Sequence, residues 1–190
     1  MGKKKIVIFA SGSGTNAENI ILKFANTDSV KVVAVFCNNP KAGVIERAKK
    51  LNTPLELFDK AQFNDEVYFS ELLKRYEADL IVLAGFLWLI PAYLVKKYNN
   101  RIINIHPALL PKYGGKGMYG HHVHEAVMAA KENEHGITIH FVNEQYDEGN
   151  IIFQAKFPIQ QSDTINDVSK NISKLEMQYY PEAIARILQV

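Results

Sequence analysis

The sequence predicts a single α/β domain over residues 1–190: a doubly wound, mostly parallel sheet with an antiparallel strand pair and a long helix at its carboxyl end. Three observations predict it. Short β-branched runs alternate with amphipathic stretches, those runs are apolar at nearly every position, and a glycine turn joins the first run to a helix.

The first strand is Lys5-Ile6-Val7-Ile8-Phe9-Ala10, apolar almost throughout, as a strand covered on both faces must be. After a Ser/Gly turn, Ala17, Ile20, Ile21 and Phe24 recur at helical spacing, and residues 32–36 return to a continuous apolar run, which completes a βαβ unit. The alternation continues with a helix over 44–51, a short strand at Leu55-Glu56-Leu57-Phe58, and a helix whose face is Phe69, Leu72, Leu73 and Tyr76. Residues 79–84 form the fourth strand, which Gly85 stops; Pro91 starts a short helix, and Arg101-Ile102-Ile103-Asn104-Ile105-His106 is a strand ending at Pro107. Residues 107–120 carry two prolines and four glycines, the composition of an extended loop on the carboxyl side of the sheet, where binding loops lie. A helix over 123–131 follows. The runs 138–142 and 151–157 flank Asp147-Glu148-Gly149-Asn150 and read as antiparallel strands joined by a turn. The last helix is capped by Ser162 or Asp163, buries Ile165, Val168, Ile172, Leu175 and Tyr179, carries Glu176 at the margin of that face, and is kinked by Pro181.

Composition narrows the function classes. With 22 basic and 20 acidic residues the net charge is +2, too small for a nucleic-acid stripe or an acidic-membrane binder, so small-molecule partners are expected. A lone cysteine, Cys37, excludes an internal disulfide and fits a cytoplasmic compartment; its place at the end of an apolar strand favours plain burial. The apolar run after the basic opening is only strand length, neither a signal peptide nor a membrane span.

Gly12-Ser13-Gly14-Thr15-Asn16-Ala17 matches the G-x-G-x-x-A fingerprint of dinucleotide folds. Those folds also want an acid at the end of the second strand, and here that strand ends Cys37-Asn38-Asn39. What remains is a helix amino terminus with glycines that admit an anion, plus donors from Ser13, Thr15 and Asn16, which favours a phosphate monoester over NAD. A merely tight turn is the bland alternative.

Asn104 and His106 lie two apart at a strand end, so both side chains leave one face toward the crevice where open sheets bind ligands. An amide donor beside an imidazole suits acyl transfer, in which an oxyanion must be stabilised and a proton relayed. No G-x-S-x-G elbow is present and Cys37 has no evident base beside it, so direct attack by a substrate amine is the simpler chemistry. A satisfied strand-end histidine is the alternative.

Asn104-Ile105-His106-Pro107-Ala108-Leu109-Leu110-Pro111 resembles the N-x-H-P-S-L-L-P signature of the folate-dependent formyltransferases, and Asp147-Glu148-Gly149 resembles their aspartate motif. The glycine loop and Ala84-Gly85-Phe86 look like the branch of that family serving purine synthesis, and the resemblance covers essentially the whole chain. It implies 10-formyltetrahydrofolate as co-substrate, no metal, and the amine of phosphoribosylglycinamide as acceptor. Asn104, His106 and Asp147 would be catalytic, with Asp147 raising the pKa of His106 and favouring its imidazolium. Gly12, Ser13, Gly14, Thr15 and Asn16 would hold the acceptor phosphate and Glu176 its ribose. Leu87, Trp88, Leu89 and Ile90, with Asn104, Asn143, Glu144, Gln145, Tyr146 and Asp147, would line the folate site. A monomer or weak homodimer is expected.

The chain departs from the family pattern at Ala108, which replaces a serine, at Trp88 and Glu66, where relatives carry arginines, and in a longer loop over 114–120 that offers Lys116 as a replacement charge. His121, His122, His124 and His140 invite a zinc reading, but no Cys or Asp/Glu spacing supports it. The competing functions are hydrolysis of the same donor, disfavoured because those enzymes carry an amino-terminal regulatory domain ahead of the first strand, and a non-catalytic nucleotide-binding module, which leaves Asn104, His106 and Asp147 without a joint purpose.

Overall fold

Strands apolar at every position must be sandwiched between two layers, and the computed structural model, which describes residues 2–190, shows that arrangement. Seven strands form one sheet in the order β3-β2-β1-β4-β5-β6-β7. They are β1 (Lys4–Ala10), β2 (Val30–Cys37), β3 (Leu55–Leu57), β4 (Leu80–Leu83), β5 (Ile102–His106), β6 (Glu134–Phe141) and β7 (Ile151–Pro158). The first five run parallel; β6 lies antiparallel to β5, and β7 to β6. The helices are α1 (Thr15–Phe24), α2 (Val44–Lys50), α3 (Lys60–Asn64), α4 (Glu66–Lys74), α5 (Ala92–Lys97), α6 (His121–Ala129) and α7 (Ile165–Leu188).

The two-residue period of the strands divides the core. Ile6, Ile8, Val35, Val82, Ile103 and Ile139 face one layer, where Ile20 of α1 and Ile172 and Tyr180 of α7 meet them. Val7, Phe9, Phe36 and Ile81 face the other, with Phe69 and Leu73 of α4 and Leu94 of α5. Burying each such side chain is worth about 1.5–3 kcal/mol. The second layer is dense in aromatics: Phe9 stacks on Phe36 at 5.2 Å and meets Phe86 edge-on at 5.3 Å.

Several boundaries differ from expectation. β6 begins at Glu134, four residues before 138, because Glu134, His135 and Gly136 already pair with Pro158, Phe157 and Lys156. Gly136 hides that start in the sequence, since a side chain there would meet Leu109 Cδ2 at 2.8 Å and the backbone of Lys156 at 2.9 Å. The helix expected over 123–131 starts at His121. The cap of α7 is neither Ser162 nor Asp163 but Thr164, in a reciprocal box with Asp167. Asp163 instead accepts from the Gln160 N–H at 2.8 Å.

The buried stripe of α7 is also rotated from the expected one. Val168, Ile172, Tyr180 and Ile184 are buried, whereas Ile165 is 39% exposed and Tyr179 half-buried. These buried positions repeat every four residues, which puts Glu176 inside the row rather than at its margin. The helix runs unbroken through Pro181. A proline leaves the carbonyl four residues earlier without its helical donor; here Asn19 Nδ2 donates to the Met177 carbonyl at 2.8 Å and ties α1 to α7. No helix among the described residues is long and apolar enough to cross a membrane.

Candidate active site

The strand order reverses between β1 and β4, and at such a switch point the loops leaving the two carboxyl ends part to form a crevice. Here they part over a cleft of about 640 Å3. The Ser11 N–H donates to the Gly85 carbonyl at 3.1 Å, and the Leu87 N–H to Ser11 Oγ at 3.0 Å, fixing the two loops to each other. Gly14 takes a left-handed φ of 79° and lies against α2 so closely that a Cβ would meet Val44 at 2.6 Å. No side chain caps α1 there. Its first N–H groups are therefore left for an anion in the cleft. At the end of β2, Asn39 Nδ2 donates to the Ser11 carbonyl at 3.2 Å, occupying the position an acidic ribose ligand would need.

On the opposite side of the cleft the strand period collects the polar groups. Asn104 pairs across β5 and β6 with His140, and His106 with Thr138. All four leave the face opposite Ile103, Ile105, Ile137 and Ile139. Thr138 Oγ1 donates to the Ala108 carbonyl at 2.6 Å and accepts from the Leu110 N–H at 3.0 Å, pinning the start of the long loop. The histidines show where their protons sit. His140 Nδ1 lies 2.8 Å from the Phe141 carbonyl, which can only accept, so the proton is on Nδ1 and Nε2 accepts from Asn104 Nδ2 at 3.2 Å. His106 Nε2 likewise donates to the Tyr113 carbonyl at 2.7 Å. Its Nδ1 faces Asp147 Oδ2 at 3.5 Å.

Asp147, in a left-handed φ of 58°, joins these groups. Its carboxylate accepts from the Gly115 N–H at 2.9 Å, lies 3.6 Å from His140 Nε2, and meets Asn104 Nδ2 at 3.4 Å. Burial pushes the Asp147 carboxyl up, yet the adjoining His140 and His106 imidazoles and the Gly115 N–H together hold it below the ordinary carboxylate value. His106 contradicts the sequence expectation. Burial pulls its pKa below 6.5 and outweighs the opposing pull of Asp147, so the resting imidazole is neutral rather than cationic.

Gly12, Ser13, Gly14, Thr15, Asn16, Leu87, Trp88, Leu89, Ile90, Gln145, Tyr146 and Glu176 all line the cleft together with Asn104, His106 and Asp147. Asn143 and Glu144 do not: Asn143 Oδ1 turns back to accept from the Gln145 N–H at 3.0 Å, and Glu144 is exposed. Glu176 Oε2 accepts from Asn16 Nδ2 at 3.0 Å, and burial raises its pKa. Ala108 is fully buried against Val123 and Val127, so the missing serine hydroxyl belongs to packing under α6. Trp88 packs on Phe58 and Phe63 at 6.0 and 5.8 Å, with Lys60 Nζ 4.6 Å over its ring, while Leu87 and Leu89 present exposed apolar surface. Cys37 is fully buried, and burial raises its thiol.

Sequence reasoning missed His140 as a site residue. Only the register of β5 against β6 brings it beside Asn104, and the two strands are separated in sequence by residues 107–133. The four histidines do not converge as a group: His124 Nδ1 pairs with His135 Nε2 at 3.0 Å, apart from His140 on Asn104.

A family model described as Formyl transferase matches residues 4–184. The chain is 39% identical to phosphoribosylglycinamide formyltransferase, chloroplastic, of Arabidopsis thaliana, over 98% of this chain and 66% of that relative. It is 38% identical to phosphoribosylglycinamide formyltransferase of Bacillus subtilis, over 97% of this chain and 95% of the relative. The crystal structure of phosphoribosylglycinamide formyltransferase from Bacillus halodurans superposes with a TM-score of 0.87 at 35% identity, covering 97% of this chain and 95% of that one.

Proposed function

The chain belongs to the formyl transferase family, and from that premise we propose that it transfers the formyl group of 10-formyltetrahydrofolate to the amine of phosphoribosylglycinamide, a step of purine biosynthesis. The observation that carries this reading is the joining of Asn104, His106, His140 and Asp147 into one polar cluster, in the same cleft as an uncapped helix terminus and the Glu176 carboxylate.

The uncapped turn over Gly12, Ser13, Gly14, Thr15 and Asn16 holds the acceptor phosphate, and Glu176, oriented by Asn16, accepts from the ribose hydroxyls. Leu87 and Leu89 cover the pterin with apolar surface, and Gln145 and Tyr146 border it. The acceptor amine attacks the formyl carbon, forming the new C–N bond and a tetrahedral oxyanion. His140 aims the Asn104 amide by accepting one of its N–H groups. The other N–H, whose contact with Asp147 is a long 3.4 Å, is the donor for the oxyanion. His106 begins neutral, takes up the proton released by the attacking amine and passes it to N10 of the folate as the C–N10 bond breaks. Asp147, held ionised, stabilises the imidazolium during that interval. No covalent enzyme intermediate and no metal take part.

The chain acts as one formyl transferase domain over residues 1–190, in the cytoplasm, on small molecules and without nucleic-acid or membrane partners, as a monomer or weak homodimer. The net charge of +2 and the lone buried cysteine support that reading. Losing one oxyanion donor costs on the order of 3 kcal/mol, and losing a positioned general acid–base costs about 100-fold or more in rate. Asn104→Ala and His106→Ala are therefore each expected to lower kcat by about 100-fold or more, measured as tetrahydrofolate formation at saturating substrates. Near-normal turnover in both removes the cluster from the chemistry.

A further inference from the structure

At the rim of the cleft, α6 opens with His121-His122-Val123-His124-Glu125. Glu125 lies four residues after His121 and three after His122, so on a helix its carboxylate reaches back over both imidazoles. The side chains do converge. The two rings lie 4.1 Å apart, His122 Nδ1 is 3.5 Å from Glu125 Oε2, and one donor atom from each of the three residues falls within 4.8 Å of the others. Neither the His121 nor the His122 side chain makes a hydrogen bond among the described residues, and all three residues are exposed. Their donor atoms are open to an ion from solvent.

We propose that His121, His122 and Glu125 form a surface site for a divalent transition-metal ion of the zinc class, distinct from the catalytic cluster. The chemistry of the donor set supports this: two imidazoles and a carboxylate suit Zn2+ and Co2+ rather than Mg2+ or Ca2+. So does the spacing. Ligands about 2.1 Å from a tetrahedral zinc stand about 3.4 Å apart, close to the 3.5 Å between His122 and Glu125. The Glu125 charge offsets the weak opposition of the helix amino end to a cation. Three protein ligands leave a coordination position for water. The site lies on the first turn of α6 beside the end of the long loop, where the Tyr119 ring packs edge-on against His122 at 5.5 Å and His121 borders the cleft.

The test uses the untagged full chain after chelator treatment, titrated with Zn2+ by calorimetry and with Co2+ by visible absorption. The expected result is one saturable ion per chain, with the ligand-field bands of a low-coordinate Co2+ site. His122→Ala and Glu125→Gln each weaken binding by at least about tenfold while metal-free turnover stays within about twofold, since neither residue touches the catalytic cluster. Absence of saturable binding overturns the proposal. Binding untouched by both variants but lost in His140→Asn also overturns it, by moving the ion into the catalytic cluster.

Discussion

Glu176 occupies a position where a carboxylate is costly, in the buried row formed by Val168, Ile172, Tyr180 and Ile184 of α7, with Asn16 Nδ2 as its hydrogen-bond donor at 3.0 Å. Burial raises its pKa, so ionising it costs stability as pH rises through that raised value. Glu176→Gln keeps an acceptor for Asn16 and removes the charge. The variant is expected to match or exceed the wild type in Tm, with the difference growing as pH rises through the raised Glu176 pKa, while KM for the acceptor rises by about tenfold or more. An unchanged KM separates Glu176 from ribose recognition. At this scale Asn104 and His106 were legible, because two residues two apart at the end of a strand must share a face. His140 was not, because cross-strand register is a property of the sheet. The charge state of His106 was not either: the sequence displays the nearby acid, whereas burial, the larger influence, appears only with the fold.

Between elements, Asn16 and Asn19 of α1 reach Glu176 and the Met177 carbonyl of α7, so one pair of asparagines serves both the site and the helix that carries Pro181. A half-exposed hydrogen bond of this kind contributes about 0.5–1 kcal/mol. Asn19→Ala is expected to lose that amount in urea unfolding and to lose less in a Pro181→Ala background, where the helix regains its own donor to Met177. Equal losses in both backgrounds rule out the compensation. The alternation of strands and helices was legible from periodicity, and Gly85 and Pro107 marked real strand ends. Ends set by pairing were not legible: β6 starts at Glu134 because of its partner β7, and Gly136 conceals the alternation. The capping box at Thr164 has an Asp at its third position, a weaker sequence signal than the nearby Ser162 and Asp163.

Across the whole molecule, the strand reversal between β1 and β4 brings a phosphate-ready turn and an acyl-transfer cluster into one cleft, and the sequence order of strands and helices already implied that reversal. The fold is also coupled to pH through histidines it buries. His135 is 1% exposed, and burial, reinforced by the nearby His124 and His106, pulls its pKa from 6.5 to about 4. The unfolded chain then binds that proton first, so folding stability is full above pH 6.5 and falls as pH drops toward 4, by about 3 kcal/mol from this residue. His124 and His106, also pulled down by burial, act in the same direction. Urea unfolding between pH 7.5 and 4.5 is expected to show the decline, with a shallower slope in His135→Gln. A flat profile contradicts it. The most direct test of the central claim is tetrahydrofolate release from 10-formyltetrahydrofolate by the purified chain, with and without phosphoribosylglycinamide. Release that requires the acceptor, with one formylated product per tetrahydrofolate, is the expected result; equal release without acceptor, or none with it, contradicts formyl transfer by this site.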